Sequence, residues 1–339
     1  MQASGGEKRR DQGLEKGASG QQPQQSQSEP QTTIRRRAEL VVVPVTVKDD
    51  QGKLVTDLRQ DELRIFEDTI EQKIDVFTNE AFPISAVVLV DNELTTKLAD
   101  QVEKSLPAIA GGFSEHDEVA VARFDVRLHR AGDFTDNNDQ LLSQLQRVNL
   151  DSEFPGGPPG GPLSSGPTIN GKPAPGTESI PRRAAGITRK ASKDIDDAVY
   201  EAGEMLQQRP RERRKIIVLI SDGNNSKNNT HSFNDTVKLL LTSGISVYSV
   251  GVGNANFDRG LTVSSKYAHA TGGDVFYGLK RETIENLYSV LTEQARNQYT
   301  LAYVPRGTDR ALEYHTIEVR VQRPHLSLVT REGYYSSGR

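Results

Sequence analysis

No cysteine occurs in the 339 residues. That excludes disulfides, thiolate metal ligands and a cysteine nucleophile, and it fits either redox compartment. Long apolar runs are missing as well. None approaches the roughly 18 residues of a membrane-spanning helix, so no membrane span is expected. The first residues hold no apolar signal-peptide core, and Met1-Gln2-Ala3-Ser4 is compatible with a processed terminus behind an added Met. Charge of one sign is not in excess: 42 basic residues face 46 acidic ones, a net charge of -4. Such a balance calls for neither nucleic acid nor an anionic membrane. The six histidines (His116, His129, His231, His269, His315, His325) form no i, i+4 pair. Surface or turn roles are therefore expected for them rather than metal ligation. Gly-x-Ser-x-Gly is absent, and no Gly-x-x-x-x-Gly-Lys is followed by the Ser or Thr that completes a phosphate-binding loop. Gly251-Val252-Gly253-Asn254-Ala255-Asn256 follows an apolar run but lacks the third glycine of a dinucleotide fingerprint, and reads as a turn. Hydrophobic residues make up only 35%, with a mean hydropathy of -0.59. That deficit points to long unfolded segments rather than a weak core.

What is present changes character along the chain. Residues 1–37 are Gln, Ser, Gly, Pro and charge, the composition of a disordered tail. Arg35-Arg36-Arg37 closes it and reads as a solvated approach to a strand, because no aromatic or further basic cluster supports phosphate binding. Residues 38–83 read as β-structure, with strands over 40–47, 63–67 and 73–77. Pro44 assigns the first of them to an edge or a bulge. Three strands are too few to close a sandwich.

From residue 84 to 297 strands alternate with helices. Strands are expected at 84–90, 118–124, 126–131, 215–221, 245–252 and 274–277. Helices are expected within 95–110, 138–148, 192–209, 232–241, 261–271 and 282–296. Gly272-Gly273 marks a helix stop. Such alternation means a mostly parallel sheet wrapped by helices. One stretch, 151–185, is dominated by Pro, Gly and Ser, beginning Pro155-Gly156-Gly157-Pro158. It is expected to be a disordered loop without helix or strand. Residues 298–339 return to β, with strands at 299–304, 314–321 and 326–330 and no helices between them. These would pair with the first strands. The expected fold is a Rossmann-like α/β domain inserted in a small β-sandwich module.

The chemistry concentrates at two strand ends. Asp91-Asn92-Glu93-Leu94-Thr95 follows the apolar run 84–90, and Ser221-Asp222-Gly223 ends the run that begins at Lys215. Carboxylates at the C-terminal ends of parallel strands sit where open α/β sheets bind ligands, so a cation- or anion-recognition site is expected there. The pattern resembles the metal-ion-dependent adhesion site of von Willebrand factor A domains. Val218-Leu219-Ile220-Ser221-Asp222-Gly223 is similar to the strand that carries the last aspartate of that site, and Val247-Tyr248-Ser249-Val250-Gly251-Val252-Gly253 to the strand after it. Val45-Thr46-Val47-Lys48-Asp49, Leu63-Arg64-Ile65-Phe66-Glu67-Asp68, Tyr299-Thr300-Leu301-Ala302-Tyr303 and Arg331-Glu332-Gly333-Tyr334 resemble the flanking strands of related bacterial proteins of the acidobacterial type. The resemblance covers about residues 38–336.

That resemblance implies a Mg²⁺ site built from Asp91, Glu93, Thr95, Ser192 and Asp222. Asp91 and Asp222 match the motif, and Thr95 supplies a hydroxyl in place of a serine. Glu93 stands where the first serine should be. Lys193 falls at the expected threonine, with Ser192 its only hydroxyl neighbour. A lysine ammonium beside two carboxylates replaces a metal's charge, so Lys193 is the expected counter-charge and Mg²⁺ binding is expected to be weak. The implied function is a non-enzymatic, extracytoplasmic contact with a protein ligand, through an acidic side chain of that ligand or through the top-of-sheet loops. An alternative is a phosphatase of the haloacid dehalogenase type, with Asp91 as nucleophile, Glu93 as acid/base, Ser221 on phosphate and Asp274 helping to hold Mg²⁺. Against it, Glu reaches one methylene further than the usual second Asp.

Overall fold

Strand β5 (Ile84–Asp91) is buried along its whole length. Its side chains alternate between two cores. Ala86, Val88 and Val90 face one, and Val87 and Leu89 face the other. Strand β10 (Arg214–Ser221) repeats the division, with Ile216, Val218 and Ile220 opposite Ile217 and Leu219. A nearly continuous apolar run is what a strand covered by helices on both faces requires. The computed structural model describes residues 40–150, 168–169, 172–173, 193–256, 258, 260–305 and 311–336. The expected tail 1–37 and most of the expected loop 151–185 lie outside the described residues.

Six strands form the central sheet, in the order β12-β11-β10-β5-β6-β7. They are β5, β6 (Glu118–Phe124), β7 (Leu128–Arg130), β10, β11 (Ile245–Val252) and β12 (Val275–Gly278). Every pairing is parallel except that of β6 with β7, a hairpin at the edge. One face packs α1 (Thr96–Ser105), α2 (Pro107–Ala110), α3 (Asn138–Gln146) and α7 (Arg281–Arg296) through residues such as Val102, Ile109, Leu145 and Tyr288. The other face packs α4 (Ile195–Gln207), α5 (Phe233–Ser243) and α6 (Val263–Thr271) through Val199, Leu240 and Tyr267. After β5 the chain moves to β6 on one side, and it later returns to β10 on the other. Between β5 and β10 the winding therefore reverses, and that crevice is the ligand position of open α/β sheets.

Two antiparallel sheets are built from both ends of the chain. One has the order β15-β1-β13-β4 and the other β16-β14-β2-β3. Their strands are β1 (Val41–Asp49), β2 (Leu63–Glu67), β3 (Ile70–Gln72), β4 (Val76–Thr78), β13 (Tyr299–Tyr303), β14 (Tyr314–Val321), β15 (Leu326–Thr330) and β16 (Gly333–Tyr335). Val43, Val45 and Val47 of β1 join Ile65, Leu301, Tyr303 and Val319 in a third core. This is the Rossmann-like α/β domain with an accompanying β-sandwich that the sequence implies. The α/β part and the sandwich are tied by an ion pair of Lys48 with Asp274. Gln298 Nε2 also donates to Thr46 Oγ1 at 3.1 Å. At Gly272, the left-handed C-cap of α6 (φ 76°), a Cβ would lie 2.5 Å from the backbone nitrogen of Arg331. The helix stop read from Gly272-Gly273 is thus also a close approach to the sandwich.

Three local expectations need correction. The segment 73–77 is not one strand. Ile70–Gln72 returns beside β2, while Val76–Thr78 crosses to the other sheet beside β13. Asp68 and Thr69 turn the β2–β3 hairpin with φ of 46° and 71°, and neither is a glycine or asparagine, the usual signal for such a turn. In the Pro/Gly stretch a two-residue hairpin forms, β8 (Thr168–Ile169) with β9 (Lys172–Pro173). The intervening residues in sequence are Asn-Gly, the pair most favoured between strands at that spacing. The edge strand β7 is shorter than the expected 126–131.

Candidate functional site

Asp91 ends β5 and Asp222 follows β10, so the adjacency of those two strands brings the carboxylates together. Between them lies the ammonium of Lys193, 2.8 Å from Asp91 Oδ2 and 2.8 Å from Asp222 Oδ1. It also approaches the Glu93 carbonyl oxygen at 3.4 Å. Ser221 Oγ donates to Asp91 Oδ2 at 2.7 Å, and the Glu93 amide donates to Asp91 Oδ1 at 2.9 Å. Asp222 Oδ1 accepts a further bond from the Asn224 amide at 3.0 Å. Asp91 is fully buried and Lys193 is 4% exposed. The cluster therefore lies under the top of the sheet rather than on it.

Lys193 is held by its backbone as well as its charge. The Ser226 amide donates to the Lys193 carbonyl at 2.8 Å, and Asn225 Oδ1 accepts the Ile195 amide at 2.9 Å. The Asp194 amide donates to the Asp125 carbonyl at 3.0 Å. The start of α4 is thereby pinned to the loops after β10 and β6. Asp196, in the first turn of α4, accepts from Asn225 Nδ2 at 2.8 Å and from the Tyr267 hydroxyl at 2.6 Å. Gly223 has φ of 78°, and a Cβ there would meet the Thr262 Cβ at 2.5 Å. Only glycine lets the loop after Asp222 lie against the start of α6.

Electrostatics follow from this burial. Desolvation drives the Asp91 carboxyl upward; Lys193 opposes the rise and the Asp222 charge adds to it. Burial by itself pulls the Lys193 ammonium down, but the two carboxylates outweigh it and its pKa is raised. Lys193 is therefore a fixed cation at neutral pH.

Of the residues singled out in the sequence, Asp91, Lys193 and Asp222 meet. Glu93 contributes its backbone groups to the cluster. Thr95 is exposed and is the N-cap of α1, with no side-chain capping bond. Ser192 lies outside the described residues. Asp274, the fourth member of the phosphatase alternative, is elsewhere. Tyr277 shares the strand level of Ser221 and Gly251, three residues further along the chain, or about 10 Å at strand rise. Asp274 instead pairs with Lys48. Sequence reasoning missed Asn225 and Asp125 as positioning groups. Each acts through a tertiary bond to the segment 193–195, which no local spacing announces.

His315 also departs from expectation. It is buried, its Nδ1 lies 2.7 Å from Asp68 Oδ2, and Glu67 adds a third potential ligand atom within 4.8 Å. The Tyr334 hydroxyl occupies Glu67 Oε2 at 3.2 Å. A separation of 247 residues hid this grouping from the sequence.

Comparison with known proteins gives a partial match to one family model and likenesses of fold. No curated protein matches the chain. Among solved structures it is similar to a von Willebrand factor type A protein from Catenulispora acidiphila. That likeness has 8% identity, covers 88% of this chain and 75% of the other, and has a TM-score of 0.45. The conserved hypothetical protein BatB from Bacteroides thetaiotaomicron is 11% identical over 62% of this chain and 98% of its own, with a TM-score of 0.42. Proximal thread matrix protein 1 from the mussel byssus, solved with a zinc-occupied MIDAS motif, is 15% identical over 68% of this chain, with a TM-score of 0.40. This chain spans 49% of that mussel protein. Residues 181–288, which include Lys193 and Asp222 but not Asp91, match the family model described as the von Willebrand factor type A domain, and the α/β part of the chain has the Rossmann-like fold of that domain.

Proposed function

We propose that the chain is a non-enzymatic, protein-binding module of the von Willebrand factor type A kind, in which Lys193 replaces the metal ion of an adhesion site. The observation that carries this reading is the ammonium 2.8 Å from both Asp91 Oδ2 and Asp222 Oδ1. Mg²⁺ asks for six oxygen ligands at about 2.1 Å in octahedral array. A donor set that closes on an ammonium, with Glu93 where a hydroxyl is needed, does not suit it. Mg²⁺ binding is weak on this reading, and the fixed charge keeps the top-of-sheet loops in one arrangement without metal. The partner is a protein, engaged by the loops after β5 and β10, where Thr95, Asn224, Lys227 and Asn228 are exposed, or through an acidic side chain of its own. The closer likeness to two-module bacterial proteins of the acidobacterial type, and an extracytoplasmic location, belong to the same reading; fractionation of the source cell tests the location. Among the described residues no helix is long and apolar enough to cross a membrane.

Titration calorimetry with Mg²⁺ tests the replacement. The unaltered chain should show no saturable binding at micromolar metal, and millimolar Mg²⁺ should add no more than about 1 kcal/mol of stability. The double change Glu93→Ser with Lys193→Thr should create binding, since it supplies two hydroxyls and removes the competing cation. Micromolar binding by the unaltered chain would overturn the reading. Turnover of a generic phosphomonoester, with Mg²⁺ present, should not exceed that of Asp91→Ala.

A further inference from the structure

A cavity of about 810 Å³ opens at the other end of β10, between the α/β part and the sandwich. Lys215, at the start of β10, lines it, whereas Ser221 at the strand's end touches Asp91. Six residues of strand set the two sites about 20 Å apart. The cavity wall is cationic: Arg211, Arg213, Arg214, Lys215 and Arg331 all line it, with Glu212 the acidic residue among them. Two of these cations are more than nine-tenths buried, Lys215 at 6% and Arg331 at 8% exposed. Among the described residues neither has a carboxylate within ion-pair distance. Arg331 Nε is buried without a hydrogen-bond partner, and the ring of Tyr334 lies 5.9 Å from its guanidinium carbon. Lys215 reaches only a backbone carbonyl, that of Gln207, at 3.4 Å. Arg214 donates to Gln298 and Thr300, neutral acceptors, and its Nε too is left over. Burial holds the Arg331 and Arg214 guanidinium groups down at about 10. Buried cations are ordinarily paired, so a cavity that gathers five cations, with Glu212 the one carboxylate among its described lining residues, is complementary to an anion.

The mouth of the cavity is apolar. Leu40, Val42 and Leu312, each more than two-fifths exposed, line it together with the ring of Phe82. We propose that this cavity binds a small amphiphilic anion, with its carboxylate or phosphate head at Arg331 and Lys215 and its apolar chain against Leu40, Val42 and Leu312. A guanidinium offers paired donors to either head group, and a pocket of this size with mostly apolar walls and a few convergent charges is typical of small-molecule sites. The inference is independent of the Asp91 cluster.

Calorimetric titration of the full chain with decanoate, decyl phosphate, 1-decanol, acetate and inorganic phosphate tests it. One of the two decyl anions, or both, should bind at a single site at least roughly tenfold more tightly than decanol, acetate or phosphate, because head and chain both contribute. Which of the two binds better identifies the head group. Arg331→Gln should weaken that binding by roughly tenfold or more, while the melting temperature of the unliganded protein does not fall, since a buried charge without a partner has been removed. Lys215→Met supplies a second variant with the same expectation. The proposal is overturned if neither decyl anion binds saturably, if decanol binds as tightly as they do, or if both variants bind unchanged.

Discussion

At the residue scale the protein is governed by a few buried charges whose partners come from distant parts of the chain. Lys193 is the clearest case. Its raised pKa means that its pairing stabilises the fold fully below its unfolded pKa of about 10.4, and that this is lost as pH rises through the folded value. Lys193→Met leaves Asp91 and Asp222 buried against each other, and should destabilise by roughly 3–5 kcal/mol at neutral pH. That loss should shrink as the pH is lowered from neutral into the acid range, because burial raises the Asp91 carboxyl and its protonation removes the repulsion. Urea midpoints for both proteins across this range check the sign. Asp117 behaves in the opposite way. It accepts from Arg296 Nη2 at 2.7 Å, from the Ile84 amide at 2.8 Å and from the Ser114 amide at 2.8 Å. Burial acts to raise its carboxyl, but these bonds together hold it below the ordinary value. Its contribution is present above the unfolded pKa of about 3.9 and lost as pH falls through the lower folded value. Asp117→Asn should cost roughly 2–4 kcal/mol at pH 7 and flatten the acid limb of the stability profile. An unchanged acid limb would assign the acid sensitivity to other carboxylates.

At the scale of elements, turns and caps decide what the strands can pair with. The β2–β3 hairpin is closed by Asp68 and Thr69, both left-handed. Asp68 is committed: its carboxylate accepts from the Thr316 amide at 2.9 Å and lies 2.7 Å from His315 Nδ1. Thr69 is β-branched at φ of 71°, a conformation that costs an L-residue about 1–2 kcal/mol. Thr69→Gly removes that strain, at the expense of a more flexible unfolded chain. The net effect should be a gain of roughly 0.5 kcal/mol in chemical denaturation. Thr69→Val, which keeps the branching, should give none. A loss of stability on Thr69→Gly would show that the threonine side chain contributes more than its backbone strain costs.

At the scale of the whole molecule, the two halves of the sandwich depend on each other and the α/β part does not depend on them in the same way. β1 pairs with β13 and β15, β2 with β14, and β4 with β13. Every one of those partners lies beyond residue 298. A fragment 38–80 should therefore be unfolded by circular dichroism. The segment 84–297 contains two cores of its own and should fold cooperatively when expressed alone. It should be less stable than in the full chain, because Arg214 would lose Gln298 and Thr300. A cooperatively folding 38–80 fragment would sink this division of the chain.

The sequence by itself determined the class of fold and two of the three charges at the top of the sheet. Nearly continuous apolar runs such as 84–90, broken only by Ser85, must be covered on both faces, and strand–helix alternation allows little besides a parallel sheet. Strand ends in such a sheet locate Asp91 and Asp222 without further information. Lys193 was legible only through a family resemblance, because the segment that carries it comes from a helix start 102 residues from Asp91. Tertiary structure alone decided the rest. Local pattern cannot say that Ile70–Gln72 and Val76–Thr78 part to different sheets, since three-residue strands lie below the length at which periodicity can be read. Nor can it bring His315 to Asp68, or bury Lys215 and Arg331 in the wall of one cavity with no carboxylate within ion-pair distance of either among the described residues. Burial and pairing of charge are properties of the packed chain, and residues far apart in sequence meet only when that packing is complete.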